Sequence, residues 1–192
     1  PKTSEAADQE QAARKESDVE HSYHLGMSAI YLARTYYPEL DAGLVAEYSL
    51  VHDLTEVYDG DTPSYRLTPE EEREKDRKEE AAYRRLLTEL PPALASVLTR
   101  YKKQEEPEAR FVRFVDKLMP AVIHTVAADA NRDVFFGFYN ITSKEELEAS
   151  SIARTEKIRE MFPDFEFLHV LRVLTSATSR ERFFPEDLPE HT

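Results

Sequence analysis

Apolar residues recur at helical spacing along most of the chain, and the alternating runs typical of strands are absent. The first pattern covers residues 19–37 and predicts a helix that Pro38 ends, because the residue before a proline is disfavoured in the α region. Asp18 is its predicted N-cap. The apolar positions of this helix include Val19, Tyr23, Met27, Ile30, Tyr31 and Ala33.

The second pattern, residues 42–58, begins after Asp41 and is apolar on most sides. A helix that is apolar nearly all round is central in its fold, so His52 and Asp53 are predicted to lie within a central helix. Further helices are predicted at residues 69–90, 93–102, 108–128, 143–162 and 164–179.

The regions between and around these helices complete an all-α prediction. Residues 131–139 are interpreted as an aromatic connection, and Ser143 with Glu146 as a capping box. One domain, residues 18–180, is expected between a polar N-terminal segment (1–17) and a C-terminal tail (181–192).

The composition of the chain argues against several classes of binding partner and site. The net charge of −13 argues against binding a nucleic-acid polymer, which requires a positive surface. The absence of cysteine excludes disulfides and thiolate metal sites. No apolar run approaches the length of a membrane span and no signal-peptide pattern opens the chain, so a cytoplasmic protein without a membrane partner is expected.

Four side chains of metal-binding type stand in or beside apolar positions of three predicted helices. They are His21, His52, Asp53 and Asp116. Buried imidazole and carboxylate groups are costly without partners, so their joint use favours one shared cation. Mixed nitrogen and oxygen ligands suit Mn, Co, Fe, Ni, Zn or Mg. Taken singly, each histidine is also compatible with a structural role, and Asp116 with pairing to Arg110 or Arg113. His124 and His169 are interpreted as structural.

The order of these residues resembles a known family. Glu20-His21-Ser22, Val51-His52-Asp53-Leu54-x-Glu56, Gly60-Asp61 and Phe114-Val115-Asp116-Lys117-Leu118 are similar to the HD-domain metal-dependent phosphohydrolases. The resemblance is closest to the branch that includes the bacterial 5′-deoxynucleotidases. It implies an all-α HD bundle whose four ligands, named above, bind one divalent metal ion.

The resemblance also implies roles around the metal. Glu56 would orient or deprotonate the attacking water, and Asp61 would contact the substrate near its sugar hydroxyl. Arg14, Lys15 and Lys117 are the candidates for contact with the phosphate. The implied partner is a small nucleotide, and the family together with the aromatic residues 135–139 favours a homodimer.

The substrate has more than one interpretation. The main hypothesis is a 5′-deoxynucleotidase that releases phosphate from deoxynucleoside monophosphates. That branch carries an Arg-Trp pair before its first histidine, whereas this chain has no tryptophan. A deoxynucleoside triphosphate phosphohydrolase is therefore the second hypothesis, and a non-catalytic module that senses nucleotides is the third.

Overall fold

The computed structural model describes residues 16–59, 68–139 and 143–183. These ranges contain helices and no strand, which confirms the all-α prediction. In them, no helix combines the length and apolar character that crossing a membrane requires. The helices are α1 (Asp18–Tyr36), α2 (Ala42–Val51), α3 (Glu56–Asp59), α4 (Pro69–Glu89), α5 (Pro92–Lys103), α6 (Pro107–Tyr139), α7 (Lys144–Met161) and α8 (Glu166–Phe183).

Polar caps determine where α1 and α2 begin. Ser17, and not the predicted Asp18, is the N-cap of α1: its side chain accepts from the amide of Glu20, whose carboxylate accepts from the Ser17 amide at 3.0 Å. This reciprocal pair satisfies two amides at once, which a cap at Asp18 would not do. Asp41 caps α2 as predicted, accepting from the amides of Gly43 and Leu44 at 2.8 and 3.2 Å.

The predicted helix at residues 42–58 is wrong in its second half. Helix α2 ends at Val51, residues 52–55 form a turn, and Glu56 begins the single turn of α3. His52 and Asp53 therefore lie at the end of a helix and not within one. Leu50 and Val57 are exposed, so this stretch is buried on one side only.

A side-chain hydrogen bond accounts for the early end of α2. The Nδ1 atom of His52 lies 2.9 Å from the carbonyl oxygen of Ser49. In a continuing α-helix that oxygen would accept from the amide of Asp53, four residues on. Hydrophobic periodicity does not report such competition from a side chain, so the sequence pattern extended the helix too far.

Helix α6 is longer than predicted. Its backbone is helical to Tyr139, so the interpretation of residues 131–139 as a connection is wrong. These residues contain no proline, and aromatic residues lower helix propensity only slightly. Pro120 lies inside the helix and cannot donate to the carbonyl four residues earlier, that of Asp116.

The chain divides into two compact units, and the division falls inside α6. The first unit is Ser17–Arg113, and the second contains the helices from Phe114 onward. In the first unit, α1 packs closely against α2: a Cβ atom built on Gly26 would lie 3.7 Å from the Cβ of Ser49. The side chains buried in its core are Leu25, Ala29, Val45, Tyr48, Val51, Leu98, Tyr101, Phe111 and Val112.

An aromatic cluster forms the core of the second unit. The Phe114 ring stacks on Phe162 with centroids 5.4 Å apart and lies 4.7 Å from the ring of His169. Phe165 and Leu168 are buried beside them. These contacts join the second part of α6 to α8 and to the segment before it.

Candidate metal centre

Three side chains converge where α1 meets the end of α2. His21 lies on α1, His52 is the C-cap of α2, and Asp53 follows in the turn. One ligand atom from each lies within 4.8 Å of the other two. The Asp53 Oδ2 atom is 2.7 Å from His52 Nε2 and 3.8 Å from His21 Nε2.

The packing of α1 on α2 accounts for this convergence. Gly26 and Ser49 face each other where α1 and α2 pack. His21 precedes Gly26 by five residues, and His52 follows Ser49 by three. Opposite chain directions at that contact bring the two imidazoles to a centroid distance of 5.3 Å.

The tautomer of His52 follows from its hydrogen bond. A carbonyl oxygen only accepts, so the Nδ1 atom that faces Ser49 carries the proton. The neutral ring then presents the Nε2 lone pair to the Asp53 carboxylate at 2.7 Å. Two lone pairs at that distance repel each other unless a proton or a cation lies between them. A histidine that binds a metal through Nε2 usually has its Nδ1–H fixed in this way.

The spacing of the three atoms also fits one ion. A cation that holds nitrogen and oxygen ligands at about 2.0–2.2 Å keeps those ligands roughly 3–4 Å apart, so shifts on the order of 1 Å complete the site. The His52 side chain is 1% exposed, whereas those of His21 and Asp53 are 21% and 29% exposed. The His52 imidazole is therefore shielded from solvent, whereas His21 and Asp53 are partly accessible to it.

A polar network holds α2 in place one turn before His52. The Tyr48 hydroxyl donates to the Glu106 carboxylate, which also accepts two hydrogen bonds from Arg100 at 2.9 Å each. Hydrogen bonds from Arg100 and then Tyr48 lower the pKa of Glu106, while burial is the main cause that raises the pKa of Tyr48. Periodicity gave no sign of this network.

Glu56 begins α3, directly after the turn that carries the His-Asp pair. Its amide donates to the Asp53 carbonyl oxygen at 2.9 Å, and its side chain is half-buried. The Glu56 carboxylate is not one of the three converging groups. The role that the resemblance implies for Glu56, orienting or deprotonating the attacking water, stays a prediction.

A second cluster ties α3 to α4 and was missed from the sequence. The Tyr58 hydroxyl donates to the Glu89 carboxylate, Arg85 Nε donates to the same group at 2.9 Å, and the Arg85 guanidinium lies 3.9 Å above the Tyr58 ring. The hydrogen bond to Glu89 raises the pKa of Tyr58. The i, i+4 spacing of Arg85 and Glu89 was the available signal, but it did not identify Tyr58.

The remaining predicted residues fall into two groups. Asp116 and Lys117 are half-buried on α6 in the second unit, where the Lys117 carbonyl oxygen accepts from the buried Arg172 at 3.0 Å. The residues that lie outside the described part of the chain are Arg14, Lys15 and Asp61, together with the side chain of His124.

Comparisons with known proteins extend this description. A family model described as an HD domain matches residues 5–157. The crystal structure of a predicted metal-dependent phosphohydrolase from Magnetospirillum magnetotacticum MS-1 has a TM-score of 0.68 to this chain and is 24% identical to it. The match covers 88% of this chain and 80% of that one. At this sequence identity, the match shows that the two proteins share a fold. No curated protein sequence matches the chain significantly.

Proposed function

The chain belongs to the HD domain family, and from that membership we propose that it is a divalent-metal-dependent phosphohydrolase. The observation that carries the proposal is the convergence of His21, His52 and Asp53, with the protonated Nδ1 of His52 turned away from the other two ligands. The structurally similar Magnetospirillum protein, described as a predicted metal-dependent phosphohydrolase, supports the same class.

In this proposal the chain's own groups divide the work. The two imidazoles and the Asp53 carboxylate would hold the ion. The resemblance implies Asp116 as a fourth ligand. A divalent ion bound there would supply Lewis-acid chemistry to a phosphoryl oxygen. Glu56 would accept a proton from the attacking water and keep that water in line with phosphorus.

We propose a deoxynucleoside monophosphate as the substrate and phosphate as the product. The support is the resemblance to the 5′-deoxynucleotidase branch, in which Asp61 would meet the sugar while Arg14, Lys15 and Lys117 neutralise the phosphate. A local set of cations is needed because the chain carries 38 acidic and 25 basic residues. Release of phosphate then requires mainly positioning and charge neutralisation.

A panel of nucleoside mono-, di- and triphosphates, assayed with several divalent metals, tests this assignment. We expect inorganic phosphate and a nucleoside from the deoxynucleoside monophosphates. Triphosphate or successive phosphates released from deoxynucleoside triphosphates would favour the second candidate, which the absence of tryptophan supports. Tight nucleotide binding without turnover would favour a sensing module and would overturn the enzymatic proposal.

The fourth ligand has its own test. Asp116→Asn keeps the size of the side chain but removes its charge, so we expect weaker metal binding, measured by titration with Mn²⁺ or Zn²⁺. Arg113→Gln, a change on the same helix, serves as the control. Unchanged affinity in Asp116→Asn would restrict the site to the three converging residues.

A further inference from the structure

Helix α3 is too short to hold its own position. It consists of one turn, Glu56–Asp59, and a single turn fixes several residues for one hydrogen bond, so it is unstable alone. Val57 on this turn is 69% exposed and does not anchor it in the core. The position of α3, and that of Glu56 at its start, therefore depends on contacts with other elements.

A cluster of three side chains connects α3 to α4. We call Tyr58, Arg85 and Glu89 the Tyr58 cluster. The Tyr58 hydroxyl donates to the Glu89 carboxylate, and the Arg85 guanidinium lies 3.9 Å from the centroid of the Tyr58 ring. Arg85 Nε also donates to Glu89, at 2.9 Å. Both the ring and the hydroxyl of Tyr58 are thus held by α4, and all three residues belong to the first unit.

Helix α4 itself gains little from Arg85 and Glu89. Glu89 is the last residue of α4, where a negative charge opposes the helix dipole. An arginine four residues before a glutamate is also the less favourable orientation of a helical ion pair. Both side chains are largely exposed, so their ion pair alone adds little stability. The contact with Tyr58 explains the two residues better than the stability of α4 does.

Short backbone hydrogen bonds connect Tyr58 to the turn that carries the metal-binding cluster. The Tyr58 amide donates to the Thr55 carbonyl oxygen at 3.2 Å, and the Glu56 amide donates to that of Asp53 at 2.9 Å. Each bond spans three residues, the spacing of a 3₁₀ turn. Asp53 and Glu56 therefore lie on one hydrogen-bonded stretch of backbone that Tyr58 attaches to α4.

We propose that the Tyr58 cluster positions the Glu56 carboxylate. Tyr58 is a positioning residue in this inference, because it acts through Glu56 and touches no substrate. Residues two apart on a helix point about 200° apart, so a Tyr58 side chain held on α4 turns Glu56 away from α4. The inference rests on the proposed function, in which Glu56 acts on the attacking water. A misplacement of about 1 Å in such a group costs on the order of 10²-fold in rate.

The variant Tyr58→Phe provides the first test, because it removes the hydroxyl and keeps the ring. We expect kcat to fall about tenfold, while KM and metal content stay those of the wild type. Tyr83→Phe on α4 is the matched control: it also loses a hydroxyl hydrogen bond, to Thr99 at 3.2 Å, and keeps a ring that lies 4.2 Å from Lys102 Nζ. The control should have the kcat of the wild type. Equal falls in the two variants would overturn the inference.

A double variant separates this inference from the proposed function. In a Glu56→Ala background, Tyr58→Phe should cause no further fall in kcat, because the group through which it acts is absent. A further tenfold fall would show that Tyr58 acts elsewhere. A slow Glu56→Ala variant beside a normal Tyr58→Phe variant would overturn the inference alone, whereas full activity of Glu56→Ala would overturn the role of Glu56 as well.

Hydrogen exchange measured by mass spectrometry tests the positioning without turnover. Peptides that cover residues 52–59 should exchange about tenfold faster in Tyr58→Phe and in Glu89→Ala, the expected effect of losing one hydrogen bond. Exchange in α1 should stay unchanged, which would show that the opening is local. Tyr83→Phe should exchange like the wild type in both regions. Unchanged exchange of residues 52–59 in Tyr58→Phe would show that other contacts hold α3 and would overturn the inference.

Discussion

Two buried histidines of this protein have the same anchor and different surroundings. His52 in the first unit and His169 in the second each bond one ring nitrogen to a backbone carbonyl oxygen, at 2.9 and 2.7 Å. The other nitrogen of His52 faces Asp53, with His21 beside it. The other nitrogen of His169 has no hydrogen-bond partner, and its ring packs against Phe114.

The comparison shows that burial and anchoring do not make a ligand. Both rings are fixed in one tautomer by a carbonyl oxygen. Only His52 presents the lone pair of its second nitrogen to other groups that can bind a cation, the Asp53 carboxylate and the His21 imidazole. The second nitrogen of His169 has no such neighbour: its ring is buried against Phe114 and bonds the Phe162 carbonyl oxygen, which fits a structural role.

Removal of His52 should have the largest effect. His52→Ala deletes the most deeply buried of the three converging side chains, so we expect loss of bound metal and a fall in kcat of about three orders of magnitude or more. Metal content by mass spectrometry of the purified protein and turnover of the best substrate measure this. Full metal content in His52→Ala would remove the distinction between the two histidines.

Glu56→Ala should have the next largest effect and separates binding from chemistry. The carboxylate lies outside the converging set, so metal content should be unchanged while kcat falls by about 10²- to 10⁴-fold. Glu56→Gln keeps the shape of the side chain and should be nearly as slow. Loss of metal in either variant would make Glu56 a ligand.

Chelation tests whether the cluster stabilises the fold. An ion present at 100 to 1,000 times its dissociation constant adds about 2.7–4.1 kcal/mol to the free energy of unfolding. We expect EDTA to remove that amount from the wild type in urea titrations. His52→Ala, which has no ion to lose, should not respond, and a response equal to that of the wild type would contradict the site.

His169→Phe should have the smallest effect. The phenyl ring is apolar and somewhat larger, and it leaves the Phe162 carbonyl without its donor, a loss of about 1–3 kcal/mol in stability. Metal content and kcat should remain those of the wild type. A change in metal binding would show that the second unit's histidine matters to the site as well.

The sequence predicted the fold class and three residues that converge, but not the local geometry that brings them together. Asp116, the fourth predicted ligand, is not in the converging group. His21, His52 and Asp53 were recognisable because polar groups among apolar positions are costly. The end of α2 at Val51 was not, because it depends on one hydrogen bond between a ring nitrogen and the Ser49 carbonyl oxygen.

Helical spacing also does not predict which face of a helix packs in the core. The row that begins at Val19 identified α1 as a helix, yet the residues that pack in the core lie on its other side. The N-cap shows the same limit, since Ser17 and Asp18 are both good caps and only the reciprocal bond with Glu20 decides between them.

The side chain at position 26 can set the distance between α1 and α2, because it faces Ser49. An added methyl group would meet Ser49 at 3.7 Å, an ordinary contact, so alanine fits without displacing either helix. Each bulkier residue would act as a wedge and widen the gap between the two imidazoles beyond it. Residues of increasing size at position 26 would therefore increase the distance between the His21 and His52 imidazoles. The preferred ion radius would increase with that distance.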